Sequence, residues 1–244
     1  MNGSGFPGVE ANSRGKTRSD SNDRLLARRS LLAGVGVAAA GVVAGSGTAA
    51  AQSSGFQPTR QDSDAWMDEM TGGHRVWIDT SYGLGGMEAL HYANNILNAH
   101  DNVDGGKDDD YAIVICWRHY ATALGFTDDM WEKYGEYFSG AMQLNEPQTG
   151  QAFAVNPGNI PNRPDLDNGL DTVDKMRGRG VKIALCNAAT RWYSRYIAGE
   201  IGGDAAEIYE EFVNSTVPDS RFVAAGVFAT TRAQEYGYSL LYAG

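Results

Sequence analysis

Five short apolar runs punctuate the chain, and a stretch with helical spacing stands between each and the next. HRVWIDTS (74–81), YAIVICW (111–117), VKIALC (181–186), SRFVAAG (220–226) and YSLLYAG (238–244) are the strand candidates. The second is apolar throughout, as expected of a strand covered on both faces. GLGGMEALHYANNILNAH (83–100) sets Ala89, Ala93, Ile96 and Leu97 on one helical face. NAATRWYSRYIAGEI (187–201) does the same with Ala189, Trp192, Tyr193, Tyr196, Ile197 and Ile201, at the i, i+3, i+4, i+7 spacing of an amphipathic helix. FTDDMWEKYGEY (126–137), LDNGLDTVDKMRGRG (166–180), DAAEIYEEFVNSTV (204–217) and FATTRAQEYG (228–237) complete the helical set. Alternating strands and helices predict a three-layer α/β/α domain, flavodoxin-like or Rossmann-like, around a mostly parallel five-stranded sheet.

Other segments set the domain bounds. Within residues 1–51, Arg28 and Arg29 precede an Ala/Gly/Val-rich run that closes on small residues up to Ala51. That is the pattern of a twin-arginine export signal, with cleavage expected after Ala51 and a periplasmic or otherwise extracytoplasmic location. The run is broken by glycines and short of the roughly 20 apolar residues of a spanning helix; a retained N-terminal anchor is the alternative. Residues 52–73 read as a flexible leader and 74–244 as the domain. DNVDGGKDDD (101–110) reads as an acidic loop without the spaced ligands of a calcium loop. Residues 138–165, with Pro147, Pro157, Pro161 and Pro164, read as a long loop or lid.

The formal net charge is −10, and the first 51 residues carry six basic and three acidic side chains, which leaves the remainder at about −13. Such acidity argues against nucleic-acid binding, which needs basic surface. Two cysteines, Cys116 and Cys186, are present without a C-x-x-C or Cys/His zinc spacing. A disulfide between them requires Cα atoms about 4.4–6.8 Å apart, which depends on strand order. The GLGG turn departs from G-x-G-x-x-G because Glu88 stands in the last glycine's place, which makes it weak evidence for a nucleotide; no cofactor is assigned.

Ligand crevices in open α/β sheets lie outside the carboxyl ends of the strands. The residues at those ends are Ser81 and Tyr82, then Trp117, Arg118 and His119, then Cys186 and Asn187. Cys186 is a candidate nucleophile, since a following helix N-terminus and nearby cations stabilise a thiolate; the alternative is a small apolar core residue. His119 reads as a base or proton shuttle, or as a hydrogen-bonded structural histidine. Arg118 reads as an anion holder, or as the partner of a carboxylate. Asn187 reads as a helix cap. Cys116, deeper in its strand, reads as core.

CWRHYATALGFTDDMWEKYG, VKIALCNAATRW and the closing FATTRAQEYGYSLLYAG together resemble the exported branch of the DsrE/DsrF-like family over most of residues 74–244. The shared features are RH-x-A before D-x-MW-x-KY, a cysteine followed by Asn in the third strand, and a terminal QE-x-GY. The resemblance implies a three-layer α/β fold, homo- or hetero-oligomers, and a cysteine that carries sulfur as a persulfide, for which this sequence offers Cys186. The expected function is therefore sulfur or thiol redox chemistry, or sulfur relay, through Cys186. A non-catalytic subunit that binds a small ligand or a partner in the same crevice is the alternative.

Overall fold

Residues 58–161 and 171–244 are described by the computed structural model. The expected export signal, residues 1–51, lies outside them. In chain order the elements are α1 (Trp66–Glu69), β1 (His74–Thr80), α2 (Gly83–Asp104), β2 (Tyr111–Trp117), α3 (Asp128–Met142), α4 (Val173–Gly178), β3 (Lys182–Cys186), α5 (Asn187–Ile201), α6 (Ala205–Asn214), β4 (Ser220–Val223), α7 (Gly226–Glu235) and β5 (Ser239–Ala243). All five strands are parallel, in the order β4-β3-β2-β1-β5. The three-layer α/β/α arrangement read from the sequence is the observed one.

The strand order explains the layers. From β1 to β4 the chain steps one way across the sheet, so right-handed crossovers put α2 to α6 on a single face. There Ile78, Ile113, Ile115, Trp117, Ile183 and Leu185 are buried beneath those helices. The return from β4 to β5 passes over the opposite face, where α7 and α1 cover Trp77, Ala112, Val114, Cys116 and Ala184. Alternation along each strand decides which side chain meets which layer. Cys116 thus lies beneath α7, fully buried, while its neighbour Trp117 points into the thicker layer.

Four boundaries differ from the sequence reading. Residues 62–70 of the expected leader are packed: Met67 is fully buried, and its carbonyl accepts from Arg75 Nη1 (3.1 Å) and Tyr238 Oη (2.9 Å). The thin second layer has room for one extra turn of helix, and Met67 fills it. α2 continues through Asp101–Asp104 to Gly105, whose left-handed backbone (φ 64°) ends the helix. The apolar stripe fades earlier, but the helix stops only where a glycine lets it. The expected lid is α3 as far as Met142 and a pinned segment from there to residue 161; residues 162–165 lie outside the described set. Fully buried Asn156 donates to the carbonyls of Leu124 (2.7 Å) and Phe126 (2.8 Å), and Phe153 N–H donates to Ser139 Oγ (3.1 Å). Of the helix expected at 166–180, Val173–Gly178 is observed, opened by Thr172 as cap to Lys175 N–H (3.2 Å); residues 166–170 lie outside the described set.

Candidate functional site

Cys186 is the last residue of β3 and also the cap of α5. Its extended backbone (φ −77°, ψ 106°) turns the chain into the helix. Its sulfur accepts from Ala189 N–H in the first turn of α5 (3.4 Å) and from Gly226 N–H, the first residue of α7 (3.2 Å). Two helix N-termini therefore aim amides and positive dipole ends at one sulfur atom. The capping role read for Asn187 belongs to Cys186. Asn187 is the first helical residue, and its Oδ1 accepts from Tyr209 Oη (2.8 Å), which holds α6 on α5. α5 is anchored by fully buried Tyr193, whose hydroxyl donates to Tyr120 O (3.0 Å). Burial pushes that phenol far up, so it stays a donor.

Arg118 follows β2 and is committed. Its Nε and Nη2 donate to both carboxylate oxygens of Asp79, each at 2.8 Å, the bidentate geometry that suits guanidinium to carboxylate. Asp79 Oδ1 also accepts from Thr230 Oγ1 (3.1 Å), which in turn accepts from Trp77 Nε1 (3.0 Å). The Asp79 carboxylate raises the Arg118 pKa. Of the two readings of Arg118, the structure supports the carboxylate partner. The arginine also positions α7: a Cβ on Gly226 would lie 2.3 Å from Arg118 Cβ, so only glycine lets that helix end approach the sulfur.

His119 opens a 3₁₀ turn (His119–Gly125) with a left-handed backbone, φ 52°, a conformation that costs a non-glycine residue energy and clusters at functional sites. It is exposed, and its ring packs on Tyr120 (centroids 3.9 Å) and near Tyr82 (6.2 Å). Tyr120 in turn meets Trp192 (5.7 Å), so an aromatic row runs from Tyr82 to α5.

A cavity of about 340 Å³ opens beside the sulfur. Cys186, Arg118 and His119 line it together with Tyr120, Ala188, Ala189, Trp192, Ala225, Gly226 and Val227. Tyr82 does not line it and reaches its edge through the His119 and Tyr120 rings, each 6.2 Å away. The other expected pocket residues are elsewhere. Trp117 is fully buried and donates to Gly86 O (3.0 Å), because alternation turns it away from Cys116's face. Ser81 bonds Tyr242 Oη (3.0 Å), and Gly85 packs against Ala243, so the β1–β5 end of the sheet edge is filled. Asn187 faces α6.

Both cysteines are free. Burial raises the Cys116 pKa well above the usual thiol value, consistent with core. Among the described residues, no group of three or more His, Cys, Asp or Glu has metal-binding geometry. A larger cavity, about 590 Å³, opens at the opposite edge of the sheet, where Arg179 is held in a two-point pair by Asp108; no cysteine or histidine lines it. Sequence reasoning missed Asp79, Thr230, Trp192 and Gly226 as parts of the site. A buried acid in an apolar strand was the available signal for Asp79; nothing local marked Gly226.

Neither a family model nor a curated protein matches the chain. Among solved structures, the protein of unknown function MTH1491 from Methanobacterium thermoautotrophicum is similar over 69% of this chain and 98% of its own, at 13% identity and a TM-score of 0.36.

Proposed function

We propose that Cys186 is a working thiol that accepts or relays sulfur, in an exported protein of the DsrE-like kind. One observation carries the reading: a sulfur atom at the floor of a ligand-sized cavity receives two backbone N–H groups from two different helices. A cysteine that merely filled space would have no use for that polar shell, whereas negative charge on sulfur is stabilised by it. His119, exposed on the cavity wall, is the proton carrier of this reading. Arg118 acts mainly as a strut, holding the floor of the site through Asp79. Assembly belongs to the same proposal: Leu240, Leu241 and Tyr242 are exposed on edge strand β5, and an open apolar edge is a pairing surface.

The test is intact-mass analysis after polysulfide treatment, whose zero-valent sulfur is transferred to the thiol without a further oxidant. Cys186 gains about 32 Da per added sulfur atom, and Cys186→Ser gains nothing. Serine keeps a capping oxygen at the head of α5, so the variant removes the chemistry and keeps the fold. A wild-type protein that gains no mass would transfer the cavity to the binding-subunit reading.

A further inference from the structure

The cavity walls point to the class of sulfur donor, an inference that rests on the working-thiol reading above. The wall is mostly apolar: Ala188, Ala189, Ala225 and Val227, with the Trp192 and Tyr120 rings beside them. Its one permanent cation, Arg118, has two of its three nitrogens turned to Asp79, and no lysine lines it. A dianion such as thiosulfate would leave water for a wall whose charge is already balanced, which costs heavily. A carrier group with an aromatic or aliphatic face would instead meet Trp192, which is 39% exposed, at low cost.

We propose that the cavity accepts a low-molecular-weight persulfide, R–S–SH, whose R group is apolar or aromatic and which bears at most one negative charge. The Cys186 thiolate attacks the outer sulfur. A new S–S bond forms, the donor's S–S bond breaks with its electron pair leaving on R–S⁻, and the outer proton stays on the transferred sulfur. The products are the Cys186 persulfide and the thiolate R–S⁻, with no net oxidation. Ala189 and Gly226 N–H groups hold the attacking sulfur, and Trp192 sorts donors by the face of R.

Binding is measured apart from reaction, by titration calorimetry of Cys186→Ser with methyl phenyl disulfide, dimethyl disulfide and thiosulfate as probes. The phenyl compound is expected to bind about tenfold more tightly than the methyl one, and thiosulfate not at all. Trp192→Ala removes the phenyl preference. Ala188 is exposed, so Ala188→Lys keeps the fold while adding a cation, and thiosulfate then binds. Thiosulfate binding as tightly as the phenyl probe, no phenyl preference, or no binding of any probe overturns the proposal. If Cys186 in the wild type gains sulfur from polysulfide while the calorimetry shows no preference, the donor class falls alone; if it gains none, the thiol reading falls with the transfer step.

Discussion

Gly226→Ala tests the link between the packing of α7 and the reactivity of Cys186. The added Cβ would lie 2.3 Å from Arg118 Cβ, 3.0 Å from its Cδ and 3.1 Å from its Cγ. Carbon atoms settle at about 3.5–4.0 Å, and Arg118 is clamped by Asp79, so the end of α7 must retreat by roughly 1.2–1.7 Å. From 3.2 Å the Gly226 amide then passes out of reach of the sulfur. Overpacking of this kind costs about 2–3 kcal/mol, and better helix propensity returns about 1 kcal/mol. The net 1–2 kcal/mol lowers the melting temperature by about 2–8 °C for a domain of this size. On the proposed reading of Cys186 as a working thiol, loss of one N–H to its attacking sulfur costs about 1.5 kcal/mol, which slows alkylation about tenfold. Circular dichroism follows the melt, and mass spectrometry of the Cys186 peptide follows the iodoacetamide rate. Burial keeps Cys116 out of the signal. A variant that melts early yet alkylates at the wild-type rate would refute the role of the amide; an unchanged melt would refute the clash.

Asp79→Ala leaves Arg118 partly buried without its carboxylate, and is expected to cost about 2–4 kcal/mol in urea denaturation; a loss under 1 kcal/mol would mean that water replaces the pair. His100 is bonded to Asp110 (3.0 Å) and Asp104 (3.1 Å), and these bonds, Asp110 first, raise its pKa. Its contribution is therefore full below the unfolded value of about 6.5 and is lost as pH rises through the folded value. The gap in urea midpoint between wild type and His100→Gln should narrow from pH 6 to pH 9, and a gap that widens would reverse the sign of the argument. Leu241→Lys, at an exposed edge position, should change stability by no more than about 0.5 kcal/mol while abolishing any dimer seen by light scattering. A dimer that survives the charge does not use β5.

The sheet was legible because both of its signals are local. Apolar runs placed the strands, and 3.6-residue spacing placed α5 at Asn187–Ile201. Long-range consequences were not legible. That Trp117 belongs to the core and Cys116 to the other layer follows from alternation, but which layer holds the cavity follows from strand order. Asp79 and Arg118 are 39 residues apart, and no periodicity couples them. Asn187 looked like a cap because asparagine is a good one; the chain turned one residue earlier, at the end of the β3 ladder, where Cys186 pairs with Val223. The leader looked loose because charged and polar residues surround the few apolar ones, Trp66, Met67 and Met70, that pack on the thinner layer.

The second amide at Cys186 comes from 40 residues further along the chain, and the helix that supplies it leads into the strand that pairs with β1, Val76 opposite Ser239. A nascent chain thus carries its cysteine with one local donor long before the second arrives. Pairings at such sequence separation form late, because loop closure must come first. Under the function proposed for Cys186, competence of the thiol is then tied to completion of the sheet: a chain stalled before α7 and β5 dock holds an ordinary cysteine. Local opening of that same closing unit would silence the site without touching any residue in it, and alkylation kinetics at Cys186 would report on how often the sheet's last strand lets go.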